Sequence, residues 1–540
     1  MVKSSVARNA GLMGLATLCS RFLGLTREQV FAYLFGASNA ADAFNIAFRI
    51  PNLLRDLFAE GAMSAAFVPN FTKSLQVSKK VAFDLFAGVI SVLIVGLSIV
   101  TVLGIFFSKQ LVQLYASAYQ SIPGKFELSV EMTKIMFPFF PMVAVAAVTM
   151  GALNALGRFF LPAFAPVLFN AASILCTLIL TPLFLHYGTF PPIYSIAIGV
   201  LVGGFFQFYI QWIQIKKEGF RLRNHKAAFF SPFQVQGVKN VLVLIIPGTV
   251  GLAATQLNIL INSIYATNHG TGAVSWLNYA FRLMQFPIGI FGVSLAAATL
   301  PVVSKKLALG NKTEAAEDLV QSLKLTFAIN LPAAAGLIAI GFPLIQILFQ
   351  HGKFQLSDSI QTTNALIWYA IGLVGYSAVK VIVPIFYALR LTHIPVIISF
   401  FIVGLNAFLN HAFMNFMHLP FWSLALATSI TVCLNMVVLG FILNKHLKGS
   451  FSIALIVSTF KHFTIAAVMG ILAYMSVQLL THFFQNVGLH QHIGWFFELL
   501  IPMGLAVFIW YGLGRFFRLP EIDQITQFAS KRFKKVADSK

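Results

Sequence analysis

The sequence predicts an all-α polytopic membrane protein of about 14 transmembrane helices: two six-helix lobes related by a parallel repeat, followed by two C-terminal helices. Three observations predict it. Apolar runs of about 20 residues, enough to cross a hydrocarbon core of about 30 Å, recur along almost the whole chain. Basic residues alternate between successive connections, and the second half of the sequence repeats the first.

The composition sets the class. Of 540 residues 58% are hydrophobic and only 10% charged, and the mean hydropathy is +0.83. Apolar segments are expected near 8–34, 40–69, 82–108, 130–155, 161–185, 191–215, 238–266, 273–303, 319–348, 362–388, 394–416, 421–444, 452–481 and 494–516. Lys3 and Arg8 before the first of these resemble the start of a signal peptide. Arg21, Arg27 and Glu28 interrupt the run and no small-residue cleavage site follows, so it is read as the first membrane helix.

One set of connections holds Lys73, Lys79, Lys80, Arg158, Lys216, Lys217, Arg221, Arg223, Lys226, Lys305, Lys306, Lys312, Arg390, Lys445 and Lys448. The other holds only Lys109, Lys125 and Lys353. By the positive-inside rule the first set is cytoplasmic, and both termini join it. The formal charge of +21 is thereby explained by topology, which excludes nucleic acid as the partner. The tail with Lys531, Arg532, Lys534 and Lys535 is expected to run as an amphipathic helix at the membrane surface or in the cytoplasm.

The repeat is read by sliding the chain on itself. Asn45, Arg49 and Asn52 pair with Asn278, Arg282 and Gln285 at an offset of 233, and Pro69 and Lys73 pair with Pro301 and Lys305 at 232. Each half has six segments, an even number, so both enter the membrane in the same direction. The expected divisions are an N-lobe over 1–217, a basic cytoplasmic linker over 218–237, a C-lobe over 238–446, a final helix pair over 447–516 and a basic tail over 517–540. The linker is expected to be a solvated loop.

Charged residues inside the membrane cost about 2.5–3.5 kcal/mol each and generally face a cavity or a partner. This chain gathers them in its first two segments. At helical spacing Asp42, Asn45, Arg49, Asn52, Asp56 and Glu60 share one face, flanked by Arg55. At the repeat offset the carboxylates become Ser275, Gly289 and Val293, so they belong to the first half only. Arg282 and Lys380 stand almost alone in the second lobe. One reading is a cavity in which Arg21, Arg27, Arg55 and Arg282 bind an anion through charge-assisted hydrogen bonds, while Asp42, Asp56 and Glu60 hold or exchange those arginines. The other is a set of ion pairs that fixes helix packing, some members snorkelling to a membrane surface.

Other signals are weaker. Gly310-Asn-Lys-Thr lacks the first glycine of a phosphate loop, so this chain is not expected to hydrolyse ATP. His482, His490 and His492 belong to an ordinary outward loop, with a metal site as the lesser reading. Asn406 and Asn410 share a helix face and read as packing residues, with a small-cation site as the alternative. Cys19, Cys176 and Cys433 read as small buried residues. No cofactor is expected, nor the carboxylate clusters of a metal-dependent membrane enzyme.

Ser20–Glu28, Asn39–Pro69, Trp276–Pro287, the FQHGKF run from Phe349 and the KVIVPIFYALR run from Lys380 resemble the MurJ (MviN) family, bacterial lipid II flippases of the multidrug/oligosaccharidyl-lipid/polysaccharide exporter superfamily. The resemblance covers nearly the whole chain. It implies export of the undecaprenyl-diphosphate-linked peptidoglycan precursor across the inner membrane by alternating access, with the last two helices forming a groove for the lipid tail. It matches Arg21, Arg27, Arg55 and Arg282 to the family's cavity arginines and Asp42 to its gate carboxylate, with Glu28, Arg49, Asp56 and Glu60 as ion-pair candidates. Phe281 stands where an acid is common and Arg49 where lysine is frequent, so a salt bridge from position 281 is absent. The implied partners are lipid II, membrane lipids and cell-wall synthesis proteins, with the chain acting as a monomer. The alternatives are an exporter of another polyprenyl-diphosphate-linked glycan such as an O-antigen unit, a drug/cation antiporter of the same superfamily, and a non-transporting cell-wall scaffold.

Overall fold

A computed structural model of the chain describes residues 2–58, 62–487 and 491–527, and every regular element among them is helical. Eleven stretches among the described residues are long and apolar enough to cross a membrane. They coincide with the expected third to sixth and eighth to fourteenth segments. The other three positions are helical too: α1 (Val2–Phe35), α2 (Asn39–Phe58) followed by α3 (Ala62–Val77), and a later helix (Val238–Thr267). The first two carry the concentrated charges, which is why their apolarity is lower. Residues 59–61, within the single expected segment over 40–69, lie outside the described residues, Glu60 among them, as do His490 and the basic tail from 528 onward.

The chain divides into two compact units, Met1–Ser275 with Gly352–Phe354, and Trp276–His351 with Gln355–Lys540. In the first unit, α4 (Lys79–Phe106), α5 (Ser108–Ala116), α6 (Lys125–Met136), α7 (Phe139–Ala155), α8 (Phe160–Tyr187) and α9 (Tyr194–Lys217) follow α3. Phe67, Phe71, Phe83, Phe86, Phe140 and Val148 pack α3, α4 and α7 into one core. In α9, Gly199 and Gly203 lie against Ser173 and Phe169 of α8, small residues that let the two backbones approach.

The linker departs from expectation. It is not a solvated loop, because Phe220, His225 and Ala228 are buried. Phe220 sits edge-on to Phe86 at 4.9 Å and stacks on His225 at 5.5 Å. The His225 Nδ1 lies 2.6 Å from Asp84 Oδ1 of α4. A basic composition concealed an apolar underside spaced too irregularly to show as a period. The short α10 (Lys226–Phe230) belongs to it, and α11 (Val238–Thr267) then packs against α2, α3 and α5.

The helix α12 (Ala273–Pro287), which enters the second unit at Trp276, runs through a π-helical turn (Ile288–Gly292) into α13 (Val293–Ala308). The proline and the π turn together deform the helix at mid-span. The helices α14 (Lys312–Phe349), α15 (Leu356–Ala388), α16 (His393–His411) and α17 (Ser423–His446) complete the repeat. Their core includes Leu323, Phe327, Ile385, Phe386 and Leu443. The last two helices, α18 (Ile453–Val487) and α19 (Gln491–Phe516), pack against α14: Trp510 Nε1 donates to the Ala328 carbonyl at 3.3 Å.

The cysteines also differ from expectation. Cys19 is exposed and Cys176 and Cys433 are half-buried. In a bilayer an apolar residue is satisfied by lipid as well as by protein, so lying in an apolar segment does not imply burial in the fold.

Candidate functional site

The site begins at the N-terminal end of α2. Asp42 is wholly buried, and its carboxylate is fully satisfied. Oδ2 accepts from Lys125 Nζ at 3.0 Å and from the Gly272 N–H at 2.8 Å. Oδ1 accepts from the Ser275 N–H at 3.0 Å and from Ser275 Oγ at 2.7 Å. Since α12 starts at Ala273, Asp42 caps that helix from another element. It satisfies amides that have no partner within a helix's first turn and puts negative charge at the positive end of the dipole. Two neighbours on α2 reinforce the contact: Asn39 Oδ1 accepts from Thr271 Oγ1 at 2.7 Å, and Asn45 Nδ2 donates to Ser275 Oγ at 3.1 Å.

Lys125 is as buried as Asp42. Its ammonium lies 4.1 Å from the centre of the Tyr119 ring, whose negative face adds to the carboxylate's attraction. Burial and the charge of Asp42 hold the Tyr119 hydroxyl well above its ordinary range, so the ring stays neutral at any physiological pH. Asp42 therefore pairs with a lysine, and not with any of the arginines it was expected to hold. Lys125 was visible in the sequence only as one of three basic residues on the sparsely charged side of the membrane.

Further along α2 the polar residues bind α11 and one another. Arg49 Nη1 donates to Ser263 Oγ of α11 at 3.1 Å. Arg55 directs Nε and Nη2 to Asp56 Oδ1 at 3.1 and 2.8 Å. The other oxygen, Asp56 Oδ2, accepts from Asn52 Nδ2 and from Gln256 Nε2, each at 3.3 Å. On α1, Arg27 pairs with Glu28 at 2.9 Å and lies 5.5 Å from the Phe169 ring centre. Arg21 is half-buried one turn and a half earlier. Arg21, Arg27 and Arg55 belong to the first unit and Arg282 to the second. Arg282 is half-buried on α12, next to Phe281, whose ring centre is 5.3 Å from that of Tyr369.

Among the remaining candidates, Asn410 Nδ2 donates to Asn406 Oδ1 at 3.1 Å, and Asn406 Nδ2 lies 3.5 Å from Thr431 Oγ1, all within a buried patch. No group of three or more His, Cys, Asp or Glu side chains gathers among the described residues. His492 packs its ring 5.4 Å from that of His351 and 5.0 Å from that of Trp495.

The helical membrane fold of the described residues, the internal repeat and the ion-paired, arginine-bearing helices at its start fit the class of membrane transporters. The fold is shared with a multidrug-resistance MATE transporter of the MOP superfamily in an inward-facing conformation: TM-score 0.65 at 16% identity, covering 80% of this chain and 95% of that one. A solved lipid II flippase MurJ in an inward closed conformation matches with a TM-score of 0.76 at 26% identity, covering 93% of this chain and 99% of the other. The family model described as lipid II flippase MurJ matches residues 31–493. The lipid II flippase MurJ of Burkholderia cenocepacia is 37% identical over 433 residues, which are 79% of this chain and 82% of that protein. The probable lipid II flippase MurJ of Vibrio cholerae is 34% identical over 458 residues, 83% of this chain and 84% of that protein. The chain belongs to the MurJ lipid II flippase family.

Proposed function

We infer that this protein carries lipid II, the polyprenyl-diphosphate-linked peptidoglycan precursor, from the cytoplasmic to the periplasmic leaflet of the bacterial inner membrane. The match to the lipid II flippase family model over residues 31–493 carries this reading. It acts as a monomer, with both termini in the cytoplasm, beside the cell-wall synthesis proteins that use its product. The two six-segment repeats are its lobes, and the final helix pair accommodates the lipid tail.

Arg21, Arg27, Arg55 and Arg282 hold the diphosphate. Arg27 and Arg55 each rest against a neighbouring carboxylate, Glu28 and Asp56. A diphosphate offers the same oxygen acceptors with more charge, so the guanidinium exchanges partners without losing its hydrogen bonds. Asp42 acts as a gate residue through its cap on α12. An inside-negative potential acts on a net positive site at about 2.3 kcal/mol per charge per 100 mV, which favours return of the unloaded carrier.

Two variants test the assignment. Arg55→Ala and Arg282→Ala, each shown to be folded and inserted, are expected to lose lipid II translocation in reconstituted vesicles. Undiminished transport in both would remove these arginines from the site.

A further inference from the structure

The linker between α9 and α11 presents two faces. Its underside is fixed to the first unit by Phe220, Ala228 and the His225–Asp84 contact. Its outer side carries Phe230 and Phe233, 78% and 59% exposed, and the exposed Leu222. Around these apolar side chains stand exposed Arg221, Arg223, Lys226 and Lys239, with Lys216 and Lys217 at the end of α9. Lys79 and Lys80 open α4 beside them: Lys79 Nζ lies 3.8 Å from where a Cβ on Gly219 would sit. The nearby acids are already engaged. Glu218 accepts from Arg158 Nε at 2.8 Å and from Gln214 Nε2 at 3.0 Å, and Asp84 faces His225. The outward field is therefore of one sign, with aromatic side chains protruding from it.

We propose that this surface binds anionic phospholipid headgroups, with Phe230 and Phe233 inserted into the adjoining leaflet. A membrane span ends at Lys217 and the next helix starts at Val238. Both ends of the linker are thus held at one membrane face, and the segment between them lies in the headgroup layer. A cationic rim around exposed aromatics suits that layer: the charges meet acidic lipid phosphates and the rings enter the acyl boundary. A soluble acidic partner would have to displace lipid to reach the same residues. The anchored underside presents the surface already ordered, so lipid binding costs little further ordering of the chain.

The test uses the full chain with Cys19, Cys176 and Cys433 replaced by serine and Phe233→Cys labelled with bimane, in nanodiscs of phosphatidylcholine with or without phosphatidylglycerol. Phosphatidylglycerol is expected to shift the emission to the blue and to lower quenching by the neutral quencher acrylamide severalfold. Adding Arg221→Gln, Arg223→Gln and Lys226→Gln, all exposed changes, should restore the quenching seen in phosphatidylcholine alone. Quenching that ignores lipid composition would overturn the proposal, as would phosphatidylglycerol-dependent shielding that survives loss of the three charges. The assay contains no lipid II, so its outcome is independent of the flippase reading.

Discussion

Asp42 and Lys125 bury opposite charges side by side with one aromatic lid, and the cost of removing either one differs from the cost of removing both. A lone buried charge forfeits its hydration without compensation, whereas a missing pair leaves only lost packing and hydrogen bonds. Lys125→Met should therefore lower stability by about 3–5 kcal/mol, measured as a fall in the thermal midpoint of the purified protein. Asp42→Asn combined with Lys125→Met should recover most of that loss in stability and fail to recover transport, because the cap on α12 is weakened. Equal destabilisation by the single and the double change would show that the pair does not act as a unit. Asp42 was legible as a carboxylate in an apolar chain, and the repeat aligned it with Ser275, the residue it binds. Equivalent positions of the two repeats thus meet, and a carboxylate in both would have placed like charges in contact. Lys125 was less legible, because its partner is 83 residues away and a lysine near a span end reads as a surface residue.

At the scale of elements, hydropathy located the helices closely and irregular backbone poorly. The expected third segment, 82–108, is α4 at Lys79–Phe106, and the expected sixth, 191–215, is α9 at Tyr194–Lys217. The π turn after Pro287 and the anchored linker left no periodic trace. The Gly352–Phe354 tip of the α14–α15 connection, within the FQHGKF run, is a further case. It packs with the first unit, and the Lys353 N–H donates to the Tyr33 carbonyl at 2.9 Å. Gly36 and Gly352 face this contact at φ of 60° and 61°. A Cβ on Gly36 would lie 2.5 Å from the Lys353 carbonyl oxygen, and one on Gly352 2.3 Å from that of Tyr33. Both obstacles are backbone. Left-handed geometry alone costs a residue with a side chain about 1–2 kcal/mol, so Gly36→Ala and Gly352→Ala should each destabilise by at least that much. Hydrogen exchange at Lys353 should accelerate in both. Unchanged protection of that amide would mean that the tip does not hold this contact in solution.

At the scale of the whole molecule, the distribution of charge was more informative than its total. A net charge of +21 would suit a nucleic-acid binder. Sorted by connection, it instead gives each loop a side of the membrane, because translocating Lys and Arg near a span is disfavoured. The linker at Lys226 and the α14–α15 tip at Lys353 are assigned to opposite faces, and both residues are exposed. The two positions can therefore report orientation with little disturbance to the fold. In a background with Cys19, Cys176 and Cys433 replaced by serine, Lys353→Cys should react with a membrane-impermeant maleimide in intact spheroplasts. Lys226→Cys should react only after the membrane is opened. If both reacted from the same side, the even number of crossings in each repeat would be wrong, since residues 226 and 353 are separated by three expected segments. If the labelling sides were exchanged, the crossings would stand and the orientation would reverse. The anionic surface of the linker's own leaflet and the direction of lipid II transport would then have to be reassigned together, because both follow from which face carries the basic connections.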